Sequence, residues 1–403
     1  MKGDYLTPLR AAVWRGHIIA GMLLAALTIG MIAGGSLALW GIGGGCGLFV
    51  LAWAAQRKHL TLDWPVIGFG GGLAVLILLA TLHAYAPERA WAMAWRVVSA
   101  AVPLGLLLQT ARLPMVWPHW FARAVWAVLA VELLLLAEFL TGGGVLLPWL
   151  HFKHDTLIYY DRGLSYAAVL IWPLCAHLVQ GGRGRLAAVL WGGLAVVTWC
   201  SASRGAPLAL AVGTGFGVLA WGLPRLARLA AVGFLAVMAA GILLAVPWVF
   251  AQHPEWLRHL PVSWQHRFEI WDYMMLWGGN DPWVGHGLDV AGVIPVPVPP
   301  HAPYLYATGP AAHPHHAALQ LWLELGPPGW SWAVAVALWC LARMQGWARS
   351  VQAAGMAAWG GYVTLAVGAF SLWTDSFLAL AALTIFWLAV QVNCTENAKN
   401  SGN

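Results

Sequence analysis

Residues 229–250 read LAAVGFLAVMAAGILLAVPWVF, an apolar run without a single charged side chain. A transmembrane helix needs about 20 such residues. The whole chain agrees with this run: 61% of its 403 residues are hydrophobic, 9% are charged, and the mean hydropathy is +0.71. Soluble globular proteins carry about 25% charged residues. The sequence therefore predicts a polytopic membrane protein and excludes a soluble enzyme, a nucleic-acid-binding domain and a secreted disulfide scaffold.

Twelve apolar runs follow one another along the chain. They are about 17–33, 36–54, 65–84, 92–110, 120–140, 164–180, 186–201, 206–222, 229–250, 316–343, 351–371 and 376–393. An even number of spans places both termini on one side of the membrane. Fourteen of the 21 Lys and Arg residues then fall on that side, which the positive-inside rule makes the cytoplasm. We expect an all-α fold in which 1–403 form one transmembrane helical domain of about 12 helices, with both termini cytoplasmic.

The connection between the ninth and tenth runs, residues 251–315, is the longest polar stretch of the chain and is predicted to lie on the extracytoplasmic side. A long polar connection in so apolar a chain is usually functional. Ser263 is expected to cap the N-terminus of a helix in this insert. Phe268, Trp271 and Met275 share one stripe of that helix, which predicts an amphipathic helix at the membrane interface. We expect the insert to carry catalytic residues.

Arg204 lies in the sequence Ser201-Ala202-Ser203-Arg204-Gly205, between the seventh and eighth runs. Arginine near a bilayer is costly unless it is paired or reaches the interface. Hydroxyl groups and backbone N–H groups at a helix start, together with the guanidinium, predict an anion-binding site. An Arg204 that merely extends its side chain to the membrane surface is the alternative.

Two further arginines are predicted on the same side of the membrane. Arg162 follows Asp161 at the mouth of the sixth run, and Arg267 lies on the predicted helix of the insert. Guanidinium groups suit a diphosphate better than ammonium groups do, so these side chains could complete a clamp with Arg204. An ion pair between Arg162 and either Asp161 or Asp155 explains Arg162 equally well.

The motif His313-Pro314-His315-His316 immediately precedes the tenth run. Imidazole is the commonest zinc ligand, so a metal site is one interpretation. No HExxH helix or other set of metal ligands accompanies the motif, however, which disfavours a metal site. The other interpretation is a general base, because a neutral imidazole can take a proton from a sugar hydroxyl. No DxD motif occurs in the chain, so the arginines would have to neutralise any diphosphate.

Together these features resemble the O-antigen ligase and polymerase superfamily: twelve spans, a large loop between spans nine and ten, Ser-x-Ser-Arg-Gly, and His-x-His entering span ten. His315-His316, nine residues and then Gly326-Pro327-Pro328-Gly329 resemble the ligase signature. In that signature Asn, Ser or Gln follows the key histidine, and Gly-x-x-Gly comes nine residues later. His316 departs from the pattern, although a neutral imidazole can still donate one hydrogen bond.

The resemblance implies an inverting, metal-independent glycosyltransferase without a cofactor, at the periplasmic face of a Gram-negative inner membrane. It would move a polysaccharide from undecaprenyl diphosphate to a sugar hydroxyl of lipid A–core. Membrane lipid would be a further partner, and no nucleic acid would bind. By position, His315 would be the base, Arg204 and Arg267 would stabilise the leaving diphosphate, and Arg162 would hold the donor. The other expected substrate contacts are Ser203, His313, His316 and Trp271.

Two other functions stay open. An O-antigen polymerase would use the same base and clamp with a second lipid-linked glycan as acceptor. A transporter of lipid-linked glycans belongs to a different class of protein. Transporters usually place polar groups near the bilayer midplane, whereas the charges of this chain crowd one face, which disfavours transport.

Overall fold

The computed structural model describes residues 7–49, 64–150, 157–251, 255–280, 283–296, 307 and 309–401. Within these ranges the chain is helical and contains no strand, which confirms the all-α prediction. The helices are α1 (Thr7–Ile32), α2 (37–49), α3 (Trp64–Leu82), α4 (Pro87–Gln109), α5 (Phe121–Ala124), α6 (Trp126–Leu140), α7 (Leu147–Leu150), α8 (Ile158–Gln180), α9 (Gly184–Cys200), α10 (Gly205–Gly222), α11 (Pro224–Ala251), α12 (Val262–Gly278), α13 (Ala317–Arg343), α14 (Arg349–Ala366) and α15 (Asp375–Ser401).

Eight of these helices are long and apolar enough to cross a membrane: α1, α3, α4, α8, α10, α11, α13 and α15. This agrees with a polytopic membrane protein. The remaining predicted runs also fold as helices, namely α2, α6, α9 and α14, which are shorter or less apolar. The count of twelve spans, the cytoplasmic termini and the division into one helical domain with an insert at 251–315 stay predictions.

Close contacts between small residues bring the central helices together. A Cβ on Gly213 of α10 would lie 2.7 Å from the carbonyl oxygen of Ala357 in α14. A Cβ on Gly163 of α8 would lie 2.2 Å from the carbonyl oxygen of Met31 near the end of α1. Small residues at such points let helix backbones approach each other, which is how membrane helices commonly pack. The glycine after Arg162 is therefore explained by packing.

A break divides α13 at Gly326, whose φ of 67° and ψ of −169° lie in a region that only glycine adopts readily. Pro327 and Pro328 follow, and proline has no N–H to donate. In an unbroken helix these two positions would donate to the carbonyl groups of Leu323 and Glu324. The sequence Gly-Pro-Pro-Gly thus frees two carbonyl groups one turn before the break.

The freed carbonyl groups anchor part of the long connection. The Leu323 carbonyl accepts a hydrogen bond from the backbone N–H of His286 at 2.9 Å. The Glu324 carbonyl accepts one from Gly287 at 3.1 Å. Gly285 has a φ of 73°, and a Cβ there would lie 2.5 Å from the carbonyl carbon of Glu324. The Gly-x-x-Gly spacing that resembles the ligase signature therefore bends α13 and docks the connection onto it.

The predicted helix of the insert is present as α12, but its predicted N-cap is wrong. Pro261, with φ −52° and ψ 142°, takes the N-cap position, and its carbonyl accepts a hydrogen bond from the backbone N–H of Trp264 at 2.8 Å. Ser263 lies inside the first turn and caps nothing. The fixed φ of proline orders the chain before the helix, so no side-chain cap is needed.

The apolar stripe of α12 packs inside the protein. Trp271 is buried, and Phe268 and Met275 are half-buried within a cluster formed with α11, α13 and the segment after α12. Glu269 is buried on the same helix, where its carboxylate accepts a hydrogen bond from the backbone N–H of Ala307 at 2.7 Å. The expectation of a simple amphipathic helix on the membrane surface is therefore corrected: α12 is enclosed on more than one face.

Candidate active site

The motif His313-Pro314-His315-His316 runs directly into the first turn of α13. His316 is the N-cap residue, with extended backbone angles. His315 has a φ of 53°, a left-handed conformation that is uncommon outside glycine. Its backbone N–H donates a hydrogen bond to Nδ1 of His313 at 3.1 Å, and the two imidazole rings lie 4.1 Å apart between centroids. The sharp turn at His315 thus holds two imidazoles side by side.

The hydrogen bonds of the two imidazoles assign them different tautomers. Nδ1 of His315 lies 3.3 Å from the carbonyl oxygen of Ala369. A carbonyl only accepts, so Nδ1 of His315 carries the proton and Nε2 keeps its lone pair. Nδ1 of His313 accepts from a backbone N–H, so the proton of neutral His313 resides on Nε2. Of the two, only His315 is arranged to act as a base through Nε2.

The surroundings of His315 keep its imidazole neutral. Burial lowers its pKa from the usual 6.5, and the positive charges of Arg267 and His266 act in the same direction. The carbonyl of Ala369 opposes these effects by stabilising the protonated ring. The net pKa lies below the ordinary value, so His315 is an unprotonated imidazole at neutral pH, as a general base requires.

Arg162 and Arg267 lie close enough to the other imidazole of the motif for their charges to act on it. Burial is the main cause that lowers the pKa of His313 to about 4, and electrostatic interactions with His315, Arg162 and Arg267 contribute to the same shift. Arg267 is half-buried on α12, and its guanidinium lies over the ring of Trp264, 5.3 Å from the centroid. Stacking of this kind holds a guanidinium in place while leaving its N–H groups free to bind an anion.

His316 and Trp271 support the motif from behind. Their rings meet edge to face at 5.8 Å, and the indole Nε1 of Trp271 donates to the carbonyl of Pro314 at 2.8 Å. Both side chains are buried, and burial lowers the pKa of His316 to about 4. Little of either side chain is exposed, and their contact with the substrate stays a prediction. They position the turn that carries His315.

Arg162 lies on the first turns of α8 and is exposed. A Cβ on Gly34 would lie 2.9 Å from both the carbonyl carbon and the Cγ of Arg162, so the segment after α1 packs against this residue. Among the described residues no carboxylate forms an ion pair with Arg162. The charge of Arg162 acts on His313, and no hydrogen bond joins its guanidinium to another residue within the described ranges.

Asp161 turns away from its neighbour. Its carboxylate accepts a hydrogen bond from the backbone N–H of Ser203, which joins the start of α8 to the turn before α10. The expected alternative, an ion pair between Arg162 and Asp161, is absent from the part of the chain that the structure describes. Asp155, the other partner considered, lies outside the described residues.

Arg204 occupies the N-cap position of α10. The hydroxyl oxygen of Ser203 accepts from the backbone N–H of Ala206 at 3.2 Å, and Ser201 donates to the Thr198 carbonyl at 2.8 Å. These hydroxyl groups serve the helix ends, so an anion would meet mainly the guanidinium. The Arg204 side chain is exposed and makes no hydrogen bond, ion pair or ring contact with any other described residue.

The connection between α14 and α15, residues 367–374, joins these parts of the site, although no sequence pattern predicted its role. Its Ala369 carbonyl binds His315, and a Cβ on Gly205 would lie 3.6 Å from the Cβ of Ala369. The next residue, Phe370, packs against Tyr166 of α8 at 5.2 Å between ring centroids. One short connection thus contacts the elements that carry His315, Arg204 and Arg162.

An apolar cleft of about 350 Å³ begins immediately beneath the histidine motif. Ala317 and Ala318, the first residues after His316, form part of its wall, and Val367 and Trp373 of the neighbouring connection form another part. It continues along α13, α14 and α15 between almost entirely apolar side chains. Its lining is apolar, and it begins next to the histidine motif.

A metal-ligand cluster was the alternative interpretation of the histidines. Across the ranges that the structure describes, no three His, Cys, Asp or Glu side chains are gathered closely enough to bind a metal ion. Nδ1 of His313 and Nδ1 of His315 are both engaged by the backbone. The motif is arranged around hydrogen bonds to the main chain.

A comparison with protein families matches residues 186–334 to the family model described as O-antigen ligase. No curated protein matches the chain. The matched region contains the turn with Arg204, the helix with Arg267 and the histidine motif, whereas Arg162 and the connection 367–374 lie outside it. The resemblance seen in the sequence motifs is confirmed. The match over residues 186–334 supports membership of the chain in the O-antigen ligase and polymerase superfamily.

Proposed function

We propose that this protein is an O-antigen ligase that transfers a polysaccharide from undecaprenyl diphosphate to a sugar hydroxyl of lipid A–core. The proposal places the reaction at the periplasmic face of a Gram-negative inner membrane. The observation that carries it is the arrangement around His315. A neutral imidazole with a free Nε2 lies next to His313, on which the charges of Arg162 and Arg267 act, and the motif leads directly into an apolar cleft.

Each part of this arrangement matches one part of a lipid-linked donor. The cleft next to Ala317 suits the hydrocarbon tail, and the arginines suit the diphosphate that joins the tail to the glycan. In our proposal Arg162 holds the donor, and Arg204 and Arg267 stabilise the leaving diphosphate. Ser203 and His313 line the same region and are proposed to contact the substrates.

The proposed reaction is a single displacement. The acceptor hydroxyl attacks the anomeric carbon from the face opposite the diphosphate, and Nε2 of His315 takes the hydroxyl proton. A new carbon–oxygen bond forms while the bond from the anomeric carbon to the diphosphate oxygen breaks. The electron pair leaves with undecaprenyl diphosphate, whose charge the arginines neutralise. Positioning and charge stabilisation supply most of the catalysis, so the mechanism needs neither a metal nor a cofactor.

The position of the charged groups argues against transport. His315 precedes the first residue of α13, and Arg204 precedes the first residue of α10. Both lie at helix ends, whereas transporters usually bind their substrates near the middle of the membrane. A polymerase would use the same groups, and the Gly-x-x-Gly spacing that favours a ligase serves to bend α13. The acceptor must therefore be identified by experiment.

The test is transfer by the purified protein from an undecaprenyl-diphosphate glycan to lipid A–core, with EDTA present. We expect a lipopolysaccharide ladder from the wild type and from His259→Ala, which changes an exposed histidine of the same connection. His315→Ala should yield no ladder. A lengthened lipid-linked glycan in place of the ladder would identify a polymerase. Loss of activity in EDTA that one divalent ion restores would contradict the metal-independent mechanism. If the folded protein forms neither product, the proposal that it is an enzyme is contradicted.

A further inference from the structure

Gln320 lies one turn into α13, is 2% exposed, and uses every hydrogen-bonding group of its amide. Its Nε2 donates to the hydroxyl of Ser371 at 3.0 Å and to the carboxyl group of Glu324 at 3.2 Å. Its Oε1 accepts from the backbone N–H of Leu372 at 3.1 Å. Because a backbone N–H can only donate, this network allows a single orientation of the amide.

Glu324 reinforces the same attachment one turn further along α13. Its carboxyl group accepts a hydrogen bond from the indole Nε1 of Trp373. The hydroxyl of Ser371 also accepts from the backbone N–H of Trp373, at 3.4 Å. Two side chains of α13 thus hold three consecutive residues of the connection between α14 and α15.

The same connection holds the proposed base. Ala369 lies two residues before Ser371, and its carbonyl accepts the hydrogen bond from Nδ1 of His315. His315 itself lies five residues before Gln320. The contacts therefore form a closed loop, which runs from His315 along α13 to Gln320, across to Ser371, back to Ala369 and across to His315.

We propose that Gln320 is a positioning residue that fixes the connection 367–374, so that the Ala369 carbonyl holds His315 with Nδ1 as donor and Nε2 free. This inference rests on the proposed function, since it assigns His315 the role of base. Gln320 does not reach the substrate, because it is buried behind the motif. It acts through Ala369 on the orientation and tautomer of the imidazole.

Replacing Gln320 with alanine removes three hydrogen bonds: two to the connection, at Ser371 and Leu372, and one to Glu324. The Ala369 carbonyl is then no longer held at bonding distance from the ring. Small displacements of catalytic groups can lower rates by about a hundredfold. Donor binding should change little, because Arg162 and Arg267 are carried by α8 and α12.

Gln391→Ala is the matched control. Gln391 is 1% exposed in α15, and its amide donates to the Pro173 carbonyl at 2.5 Å, within α8. Its replacement removes a buried glutamine from the same bundle without touching the connection. We expect Gln320→Ala to lower kcat by about 10- to 100-fold with KM for the donor within about twofold. Gln391→Ala should keep kcat near the wild-type value at equal folded concentration.

Two further measurements distinguish positioning from general stability. Amides 371–373 should exchange hydrogen faster in Gln320→Ala than in the wild type or in Gln391→Ala. The acidic limb of the kcat–pH profile should move to lower pH, because the Ala369 carbonyl raises the pKa of His315 and its loss removes that effect. Arg267, His266 and His313, which also face His315, remain in place in every variant.

If Gln320→Ala does not fold, Ser371→Ala tests the same link, since it removes one of the three bonds of Gln320 together with the weaker bond from the backbone N–H of Trp373. Ser371→Ala should lower kcat by less than the 10- to 100-fold expected for Gln320→Ala. Its backbone amides 371–373 should exchange hydrogen faster than those of the wild type. Wild-type kcat in whichever variant folds, or an equal loss of kcat in Gln391→Ala, would overturn the inference while leaving the ligase proposal intact. A wild type without transfer activity would overturn the proposed function and this inference with it.

Discussion

The tautomers of the histidine pair lead to a quantitative prediction for two alanine variants. His315 offers a free Nε2, whereas Nδ1 of His313 only accepts the backbone N–H of His315. A general base contributes about 10²- to 10⁴-fold to a rate, which corresponds to about 3–5 kcal/mol. His315→Ala should therefore lower kcat at least 100-fold.

His313→Ala should lower kcat by less than His315→Ala does. It deletes one hydrogen bond, which contributes about 1 kcal/mol. That bond also helps hold His315 at a φ of 53°, and the lost support adds about 1 kcal/mol at most. A total of about 1–2 kcal/mol corresponds to roughly 5- to 30-fold in kcat. The two neighbouring histidines should thus differ clearly in effect.

The assay is single-turnover ladder formation at pH 7.5 with saturating lipid-linked donor, so that chemistry is measured and binding is not. His259→Ala is the control for replacing a histidine in the same connection, and a thermal unfolding scan in detergent confirms equal folding. A loss in His313→Ala that equals or exceeds the loss in His315→Ala would refute the assignment of the tautomers. So would a His315→Ala variant with wild-type turnover.

Three further predictions concern the clamp, the base and the fold. Arg204→Lys should lower kcat about 10-fold or more, because an ammonium group cannot form the forked hydrogen bonds of a guanidinium. The control Arg258→Lys, in the exposed part of the insert, should keep the wild-type kcat. A wild-type kcat in Arg204→Lys would mean that Arg204 only reaches the interface. Activity should persist as the pH is lowered to about 6.5, the ordinary pKa of histidine, and should be lost only at lower pH. The reason is that the neutral form of His315 is the active one and its pKa is lowered. An acidic limb of the pH profile centred above pH 7 would contradict a buried histidine base. Gly326→Ala should cost about 1–3 kcal/mol and lower the Tm. Gly233→Ala, with open space around it in α11, should not lower the Tm, because alanine favours a helix more than glycine does.

Much of the site could be predicted because its residues stand in short, recognisable stretches. The histidines lie within four consecutive positions, and Arg204 stands at a helix start flanked by serines. The roles within the motif were less accessible. Trp271 and His316 were expected to contact the substrate, yet they are buried against each other. A sequence shows that an aromatic residue and a histidine are present, but their mutual burial requires α12 and α13 to pack together.

Gln320 shows why the remaining contacts escaped prediction. A polar residue inside an apolar run is a signal in itself, since such residues are costly within a membrane protein. The signal names no partner, however, because Ser371 is 51 residues away along the chain. The same holds for the bond between His315 and Ala369, which are 54 residues apart. Pairings over such distances depend on how α13, α14 and α15 pack.

The amino-acid sequence by itself determined the helical class, the places where helices form and the side chains available for chemistry. These properties are local, because an apolar run of sufficient length must satisfy its backbone hydrogen bonds within one helix. Tertiary structure alone decided which nitrogen of His315 is free, which arginines approach His313, and which aromatic residues are enclosed. Those outcomes depend on carbonyl groups and charges from distant helices, and only close packing brings them to a common site.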